Sequence, residues 1–564
     1  MKLSPLLFLV CSFFSTMVAQ NTVGLISVDS SKSFNGYNLL FPQFHPNAYL
    51  LNQCGEIVNV WEDSSNIGPG NISYFLQNGN LLMTKVDENV SEDPIWAGGG
   101  GEFIEIRSWE NELLWSYSLN DSTARLHHDI EPMPNGNILV VAWEYIPLDE
   151  VIESGRNTSN LQKDCLWPDM VLEIQPNIDD TSSNSYEIVW EWHSWDHLIQ
   201  DFDSSKSNFG SIQDHPELID VNYTNDGSAD WLHMNSVYYN EDLDHILLSV
   251  PTFNEIWIID HSTTTEEAAT HVGGNANNGG DLLYRWGNPE AYDNGDSSNQ
   301  KLFFQHDAHW IESELSGNDP DLGKILLFNN RVNDSTSTVN ILVPEWDAEN
   351  KEYLMFNGVY LPVNFDWSYS PANTQEMYSW VVSSAQRLPN GNTLICSGAH
   401  GRSFEVTPSE EVVWEYKTPL ILGTPVLQGT EIPGATSNLT FRIKRYPSNY
   451  SGFNGKDLSP IGFIEINPDL NYCNSLLSVE KGMESNDDAF SVWPLPFNDE
   501  LYIVSESSQI KQIELLSVQG TLLWKEEGLN NSMYMLGQKV LGSLVSGVYY
   551  LRINRENTQK IIKF

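Results

Sequence analysis

From about Gly36 to Leu470 the chain alternates short runs of Val, Ile, Leu and Trp with turns of Gly, Asn and Asp, and no stretch of helical period interrupts them. Short apolar alternation between turn signals is the mark of half-buried strands, so the body reads as all-β. Two elements recur along it. One is an apolar-apolar-Trp strand that follows a Gly, Asn or acidic turn and ends a unit, at Trp61, Trp115, Trp190 with Trp192, Trp286, a degenerate copy Tyr353-Leu-Met-Phe356, and Trp414. The other opens a unit as an apolar-x-Asn-Gly-Asn turn, at Asn78-Gly79, Asn135-Gly136 and Asn390-Gly391. Asn-Gly is the favoured dipeptide of a two-residue type I′ hairpin, in which both central residues take positive φ. Six units of irregular length, each of a few strands, predict a six-bladed β-propeller; a sandwich is the other arrangement of such strands.

Composition adds a compartment and removes some partners. The 564 residues hold 28 Lys+Arg against 76 Asp+Glu, a formal net charge of −48, which argues against nucleic acid as a partner. With 40% hydrophobic and 12% aromatic residues the chain is too apolar for a disordered acidic one. The charge is uneven: residues 489–564 balance seven acids against seven bases, Lys2 is the sole charge of residues 1–19, and the remaining −49 falls on the middle with nine Arg and eleven Lys. Any basic residue inside a motif there is therefore a candidate for binding an anion. Lys2, the apolar run Leu6–Phe14 and Ala19 before Gln20 read as a secretory signal peptide, too short to span a bilayer. No later segment reaches spanning length, so no integral membrane span is expected. The domains are placed at 1–19 (signal peptide), 20–485 (propeller) and 486–564 (a small C-terminal β-sandwich domain), with the last boundary at the composition shift near Glu484 to Phe490. Cys54, Cys165, Cys396 and Cys473 lie in an oxidising compartment and allow three pairings, or none.

Three histidine clusters fall just before the hairpin or inner strand of a unit: His127 and His128 before Asp129, His233 before Asn235, and His306 and His309 around Asp307. A propeller brings equivalent positions of successive blades together at its axis, so these clusters are expected to meet. Asp129, Asn235, and Gln305 with Asp307 are the neighbours placed to fix a tautomer. His197, His215 and His261 read instead as surface or satisfied core residues. A metal site would need neutral imidazole ligands, and His306 and His309, three apart on a strand, face opposite ways. Nucleophilic catalysis would need one neutral imidazole as attacker, a second as acid or base, and donors for the transferred group. Position alone leaves both open.

The stretches around His127-His-Asp-Ile-Glu-Pro-Met-Pro-Asn-Gly-Asn, Asp230-Trp-Leu-His-Met-Asn-Ser-Val, Glu255-Ile-Trp-Ile-Ile-Asp, Leu283-Tyr-Arg-Trp-Gly-Asn-Pro, Phe304-Gln-His-Asp-Ala-His-Trp and Gln386-Arg-Leu-Pro-Asn-Gly-Asn, in this order, resemble the bacterial arylsulfotransferases. The resemblance runs from about Tyr37 to Asp469. It implies a six-bladed propeller and a nucleotide-independent ping-pong transfer of a sulfuryl group from a phenolic sulfate ester to a phenolic acceptor through a sulfated histidine, with no cofactor and no metal. By motif, it makes His306 the nucleophile, assisted by His128 and His233, with Asn235 donating to the sulfuryl oxygens, His127 and His309 flanking the substrate, and Thr393 a further donor. The family's arginine near Ser249-Val250-Pro251 is missing. Arg285, Arg331, Arg387 and Arg402 lie in matched motifs, and Arg331, which ends the strand after the His306 motif, is the favoured replacement.

The tail, from Phe490-Ser-Val-Trp-Pro-Leu-Pro through Ser546-Gly-Val-Tyr-Tyr-Leu to the basic end Lys560 to Lys563, resembles the C-terminal sorting domain of the type IX secretion system of Bacteroidetes, with Leu495 where that family usually has Asn. It implies the type IX machinery as a partner and export through the periplasm and outer membrane to a secreted or cell-surface location. The missing arginine and the export tail also keep a second reading in play: a non-catalytic surface propeller that binds glycans or proteins.

Overall fold

The computed structural model describes residues 21–563 apart from 64–66, 88–94, 96, 179–184, 225, 318, 475, 477–489, 494–499, 506–508, 518–520, 543, 546 and 555–556. The signal peptide (1–19) and the boundary expected near 486 lie outside the described residues. The chain divides into two compact units, one of Phe34–Pro468 with the chain up to Ile26, the other of Asp469–Phe564 with Ser27–Ser33.

Among the described residues the first unit has six blades of four antiparallel strands, one of them extended by a fifth strand, Gly24–Val28. In chain order of their second strands, their first strands are Thr440–Pro447 (blade I), Ile67–Phe75 (II), Ala124–Pro132 (III), Ser236–Asn240 (IV), His306–Trp310 (V) and Ser384–Arg387 (VI). Each first strand touches those of the two neighbouring blades, and blade VI returns to blade I, so the six enclose an axis as in a β-propeller. Blade I joins the late strand Thr440–Pro447 to the early strands Gly36–Pro42, Ala48–Leu51 and Ile57–Trp61, which closes the ring.

The tryptophans of the outer strands explain how blades hold one another. Trp61, Trp115, Trp192, Trp286 and Trp414 are buried, and each donates its indole N–H to a backbone carbonyl of the next blade: Ser108 (2.9 Å), Ser185 (3.0 Å), Gly280 (2.7 Å), Pro362 (2.6 Å) and Gln53 (2.9 Å). A large ring fills the space between sheets while its one polar atom finds a partner there. Replacing Trp115 by Ala is expected to cost roughly 3–5 kcal/mol, and by Phe about 1 kcal/mol, as read by denaturant unfolding of the propeller. Equal losses for the two variants would mean that the indole hydrogen bond, rather than ring volume, dominates.

Two details differ from the sequence reading. The fifth apolar-aromatic element is not Tyr353 to Phe356, whose residues pair in two short hairpins with Trp346–Asp347 and Val359–Tyr360. The outer strand of blade V is Trp367–Tyr369, paired with Thr336–Leu342, so the insertion displaced the Trp rather than degrading it. Nor are the Asn-Gly turns type I′. Only Gly79, Gly136 and Gly391 take positive φ (83°, 89° and 83°), while the preceding Asn side chains accept from the N–H two residues on, at 3.0, 2.9 and 3.2 Å. These are three-residue loops, a type I turn followed by a left-handed glycine, with Asn chosen for its acceptor oxygen.

Among its described residues the second unit has two antiparallel sheets. One pairs Phe490–Trp493, Leu501–Ser505 and Met533–Leu536; the other pairs Leu522–Asn531, Ile510–Ser517, Gly547–Ile553 and Asn557–Lys563. Leu501, Ile503 and Leu536 of the first share one apolar core with Ile513, Leu515 and Leu551 of the second. Cys165 and Cys396 are free and buried. Among the described residues no helix is long and apolar enough to cross a membrane.

Candidate active site

The innermost strands are irregular where the histidines sit. The pairing of Ala124–Pro132 with its neighbour shifts register between Val140 and Ala142, and that of His306–Trp310 shifts between His306 and His309. Bulges re-aim side chains, and His128, His233 and Asp307 accordingly take positive φ of 52°, 55° and 57°. The result brings blades III, IV and V together. The rings of His128 and His233 are 4.4 Å apart, and Phe304 bridges His233 (6.2 Å) to His306 (5.8 Å).

His306 has a fixed tautomer. The Asn330 amide nitrogen donates to the carbonyls of Ser379 and Val382, both at 2.8 Å, which turns its oxygen to His306 Nδ1 at 2.8 Å. The proton therefore sits on Nδ1 and the lone pair on Nε2, which faces the N–H of Val382 at 3.2 Å. Burial pushes the imidazole down to about 3, against the hydrogen bond to Asn330, so the ring is neutral at ordinary pH. Val382 and Ser383 hold this donor in a strained turn, with φ of 50° and 91°, a cost of order 1–3 kcal/mol each that the surrounding structure sustains.

His233 has the opposite poise. Burial disfavours its charge, but Asp230 Oδ2 lies 2.5 Å from Nδ1 and more than offsets this, so the ring is held above its ordinary value. The Trp143 indole donates to the other Asp230 oxygen at 2.9 Å and fixes the carboxylate. His128 is kept neutral by burial and by the neighbouring histidines. Its Nδ1 lies 2.8 Å from Nδ1 of His127, whose Nε2 is 2.5 Å from Asp169 Oδ1, and burial raises that carboxyl well above the usual range. Asp169, His127 and His128 thus lie in close succession behind the site. The approach is tight: a Cβ on Gly99 (φ 95°) would fall 2.0 Å from the His128 ring.

The remaining expectations sort by position. His127 supports the cluster from behind, stacked on Trp143 at 3.9 Å. Arg331 lies 3.6 Å over the Phe304 ring, donates through Nε to the Trp380 carbonyl at 2.8 Å, and pairs with no carboxylate among the described residues. Its charge pushes down both His233 and His306. Asn235 is buried beside the site, with its amide nitrogen donating to the Gln305 carbonyl at 2.8 Å. His309 is not brought to the cluster. It lies past the bulge, near Tyr238 (5.5 Å) and the charges of Lys444 and Arg442. Thr393 is also elsewhere, at the hairpin end of blade VI, where it accepts from Arg387. The tautomers are fixed by Asp230, Asp169 and Asn330 rather than by the neighbours expected. Asp129 and Asp307 instead clamp Arg442 (3.0 and 2.6 Å), since a buried guanidinium demands carboxylates. Asp230, three residues before His233, and Asn330, beside Arg331, stand inside the motifs but carry no local signal of their role.

Fold and site together define a β-propeller with a histidine-centred site on its first strands. The chain belongs to the arylsulfotransferase family: the family model described as Arylsulfotransferase (ASST) matches residues 75–423. Residues 491–564 match the Secretion system C-terminal sorting domain. The family assigns an aryl sulfotransferase activity with aryl sulfate substrates, and the sorting domain indicates export by the type IX machinery to a secreted or cell-surface location. A comparison with curated proteins gives no match. Among solved structures, a Bacteroides caccae protein of unknown function is similar at 10% identity and TM-score 0.39, over 73% of this chain and 99% of that one. The Cps50 (Swd1) β-propeller domain of Myceliophteria thermophila is similar at 9% identity and TM-score 0.34, over 78% and 100%.

Proposed function

We propose that the propeller moves a sulfuryl group from a phenolic sulfate ester to a phenolic acceptor in two steps through sulfated His306. The locked tautomer of His306 carries this reading. Nε2 gives up the Val382 N–H and attacks sulfur with the freed lone pair, the bond from sulfur to the aryl oxygen breaks, and the departing phenolate takes the proton of His233 Nε2. His306 keeps its Nδ1 proton against Asn330 while it bears the group. In the second step the acceptor phenol gives its proton to the now neutral His233, its oxygen attacks sulfur, and the N–S bond breaks. Catalysis otherwise rests on positioning and charge, as in phosphoryl transfer. The Val382 N–H and the unpaired face of Arg331 are the donors beside the sulfuryl oxygens, the second amide hydrogen of Asn235 is a further one, and Phe304 offers a ring to the aryl group.

The test is direct. Full-length protein mixed with 4-nitrophenyl sulfate, quenched in base and digested, is expected to yield one sulfated, base-stable and acid-labile peptide containing His306. Turnover without that adduct, or an adduct on another residue, would overturn the assignment.

A further inference from the structure

We infer that the propeller binds a divalent transition-metal ion between blades III and IV, through Nδ1 of His197, Nδ1 of His271 and the carboxylate of Asp281. The three ligand atoms lie within 4.8 Å of one another, and both imidazole nitrogens stand 2.7 Å from the same Asp281 oxygen, Oδ1. His197 follows the outer strand Tyr186–His193 of blade III, while His271 and Asp281 belong to the connection between Glu255–Asp260 and Tyr284–Trp286 of blade IV.

His197 Nε2 is 2.9 Å from the Ala268 carbonyl, which accepts and never donates, so Nε2 carries the hydrogen. In the neutral ring Nδ1 then presents a lone pair, and it faces a carboxylate oxygen at hydrogen-bond distance. Two acceptors in contact, the ring fully buried and the carboxylate nearly so, require either a second proton on the ring or a cation shared between them. A metal ion meets the requirement in the manner metal-bound histidines ordinarily show, with the other ring N–H held by a backbone carbonyl. The site is also built to hold the ring still. His197 stacks on Trp192 at 5.7 Å and 6°, Trp192 donates to the Gly280 carbonyl, and a Cβ on Gly280 would fall 2.6 Å from His197 Nε2.

Two imidazoles and one carboxylate suit zinc or a neighbouring transition metal, whereas calcium and magnesium prefer all-oxygen sites. His271, whose side chain is 60% exposed, is the ligand able to adjust. It also lines a cavity of about 590 Å³ with Trp195, Asp196, Phe209 and His215, which leaves room for water at a fourth position. The ion would fasten the blade IV connection to blade III, independently of the His306 chemistry.

Full-length protein stripped with EDTA and titrated with ZnCl2 in a calorimeter is expected to bind one equivalent. His271→Ala and Asp281→Asn should each weaken binding by about 10-fold or more. Cobalt(II) loading should give the visible bands of a four-coordinate ion in the parent protein but not in His271→Ala. Substoichiometric binding, or binding unchanged in both variants, would overturn the inference. Sulfuryl transfer measured on the same stripped sample should be unaffected, so the two readings fail separately.

Discussion

Replacing His306 by alanine is expected to reduce sulfuryl transfer from 4-nitrophenyl sulfate to phenol by roughly 10⁴-fold or more, because no other group can take over the covalent step. His128 and His233 are close, yet neither has the same poise: His233 is held protonated by Asp230, and His128 is bound through Nδ1 to His127. The variant should remain folded, since it loses one ring beside Phe304 and Phe441 and leaves the Trp contacts between blades in place. A His306→Gly protein supplemented with imidazole should recover part of the activity, as the vacated space and the Asn330 oxygen remain to orient the added base. Transfer at the parental rate in His306→Ala would eliminate the residue as nucleophile. A loss that imidazole never restores, with circular dichroism also changed, would point to a folding role.

The second large effect concerns Asp230. In the parent protein the rate should rise with pH only near pH 3, where His306 loses its proton, and stay level while His233 remains protonated. It should then fall as pH rises through the His233 value, which Asp230 holds above the ordinary imidazole range against the opposing effect of burial. Asp230→Asn removes the main effect that opposes burial and leaves only the Asp169 charge against it. The His233 value should drop below the ordinary one, the alkaline limb of kcat/KM should move to lower pH, and activity near pH 7.5 should fall by about 10²–10⁴-fold, the usual contribution of a general acid. An activated phenol that needs no protonation on leaving should show a smaller loss than a poor leaving group. An alkaline limb that stays in place would assign the proton donation to another residue.

Much of the architecture is legible in the amino-acid sequence, and the reason is repetition. The Trp61, Trp115 and Trp414 strands and the Asn-Gly loops recur because every blade solves the same packing problem, so a single chain displays the solution several times. Trp367 escapes because a hairpin insertion breaks the spacing, and spacing is the only cue. The convergence of His128, His233 and His306 is readable from repeat position. Their protonation is not, because it depends on Asn330, Asp169 and Asp230, which the folding of each blade sets against the rings and which no repeat marks. Thr393 and His309 mislead for the complementary reason: both stand in the right motif, but one lies at the far end of its hairpin and the other past a bulge that turns the strand.

Thr440–Pro447 is paired with Gly36–Pro42, and Arg442 on it holds Asp129 and Asp307 while Phe441 meets the His306 ring. The other blades take their four main strands from neighbouring chain, with Gly24–Val28 added to blade VI, but blade I has to wait for residues about four hundred positions later. Until that strand arrives, Asp129 and Asp307 face each other without their shared cation and the nucleophile lacks one wall. One strand thus completes the ring of blades, the Arg442 clamp and the wall beside His306 together.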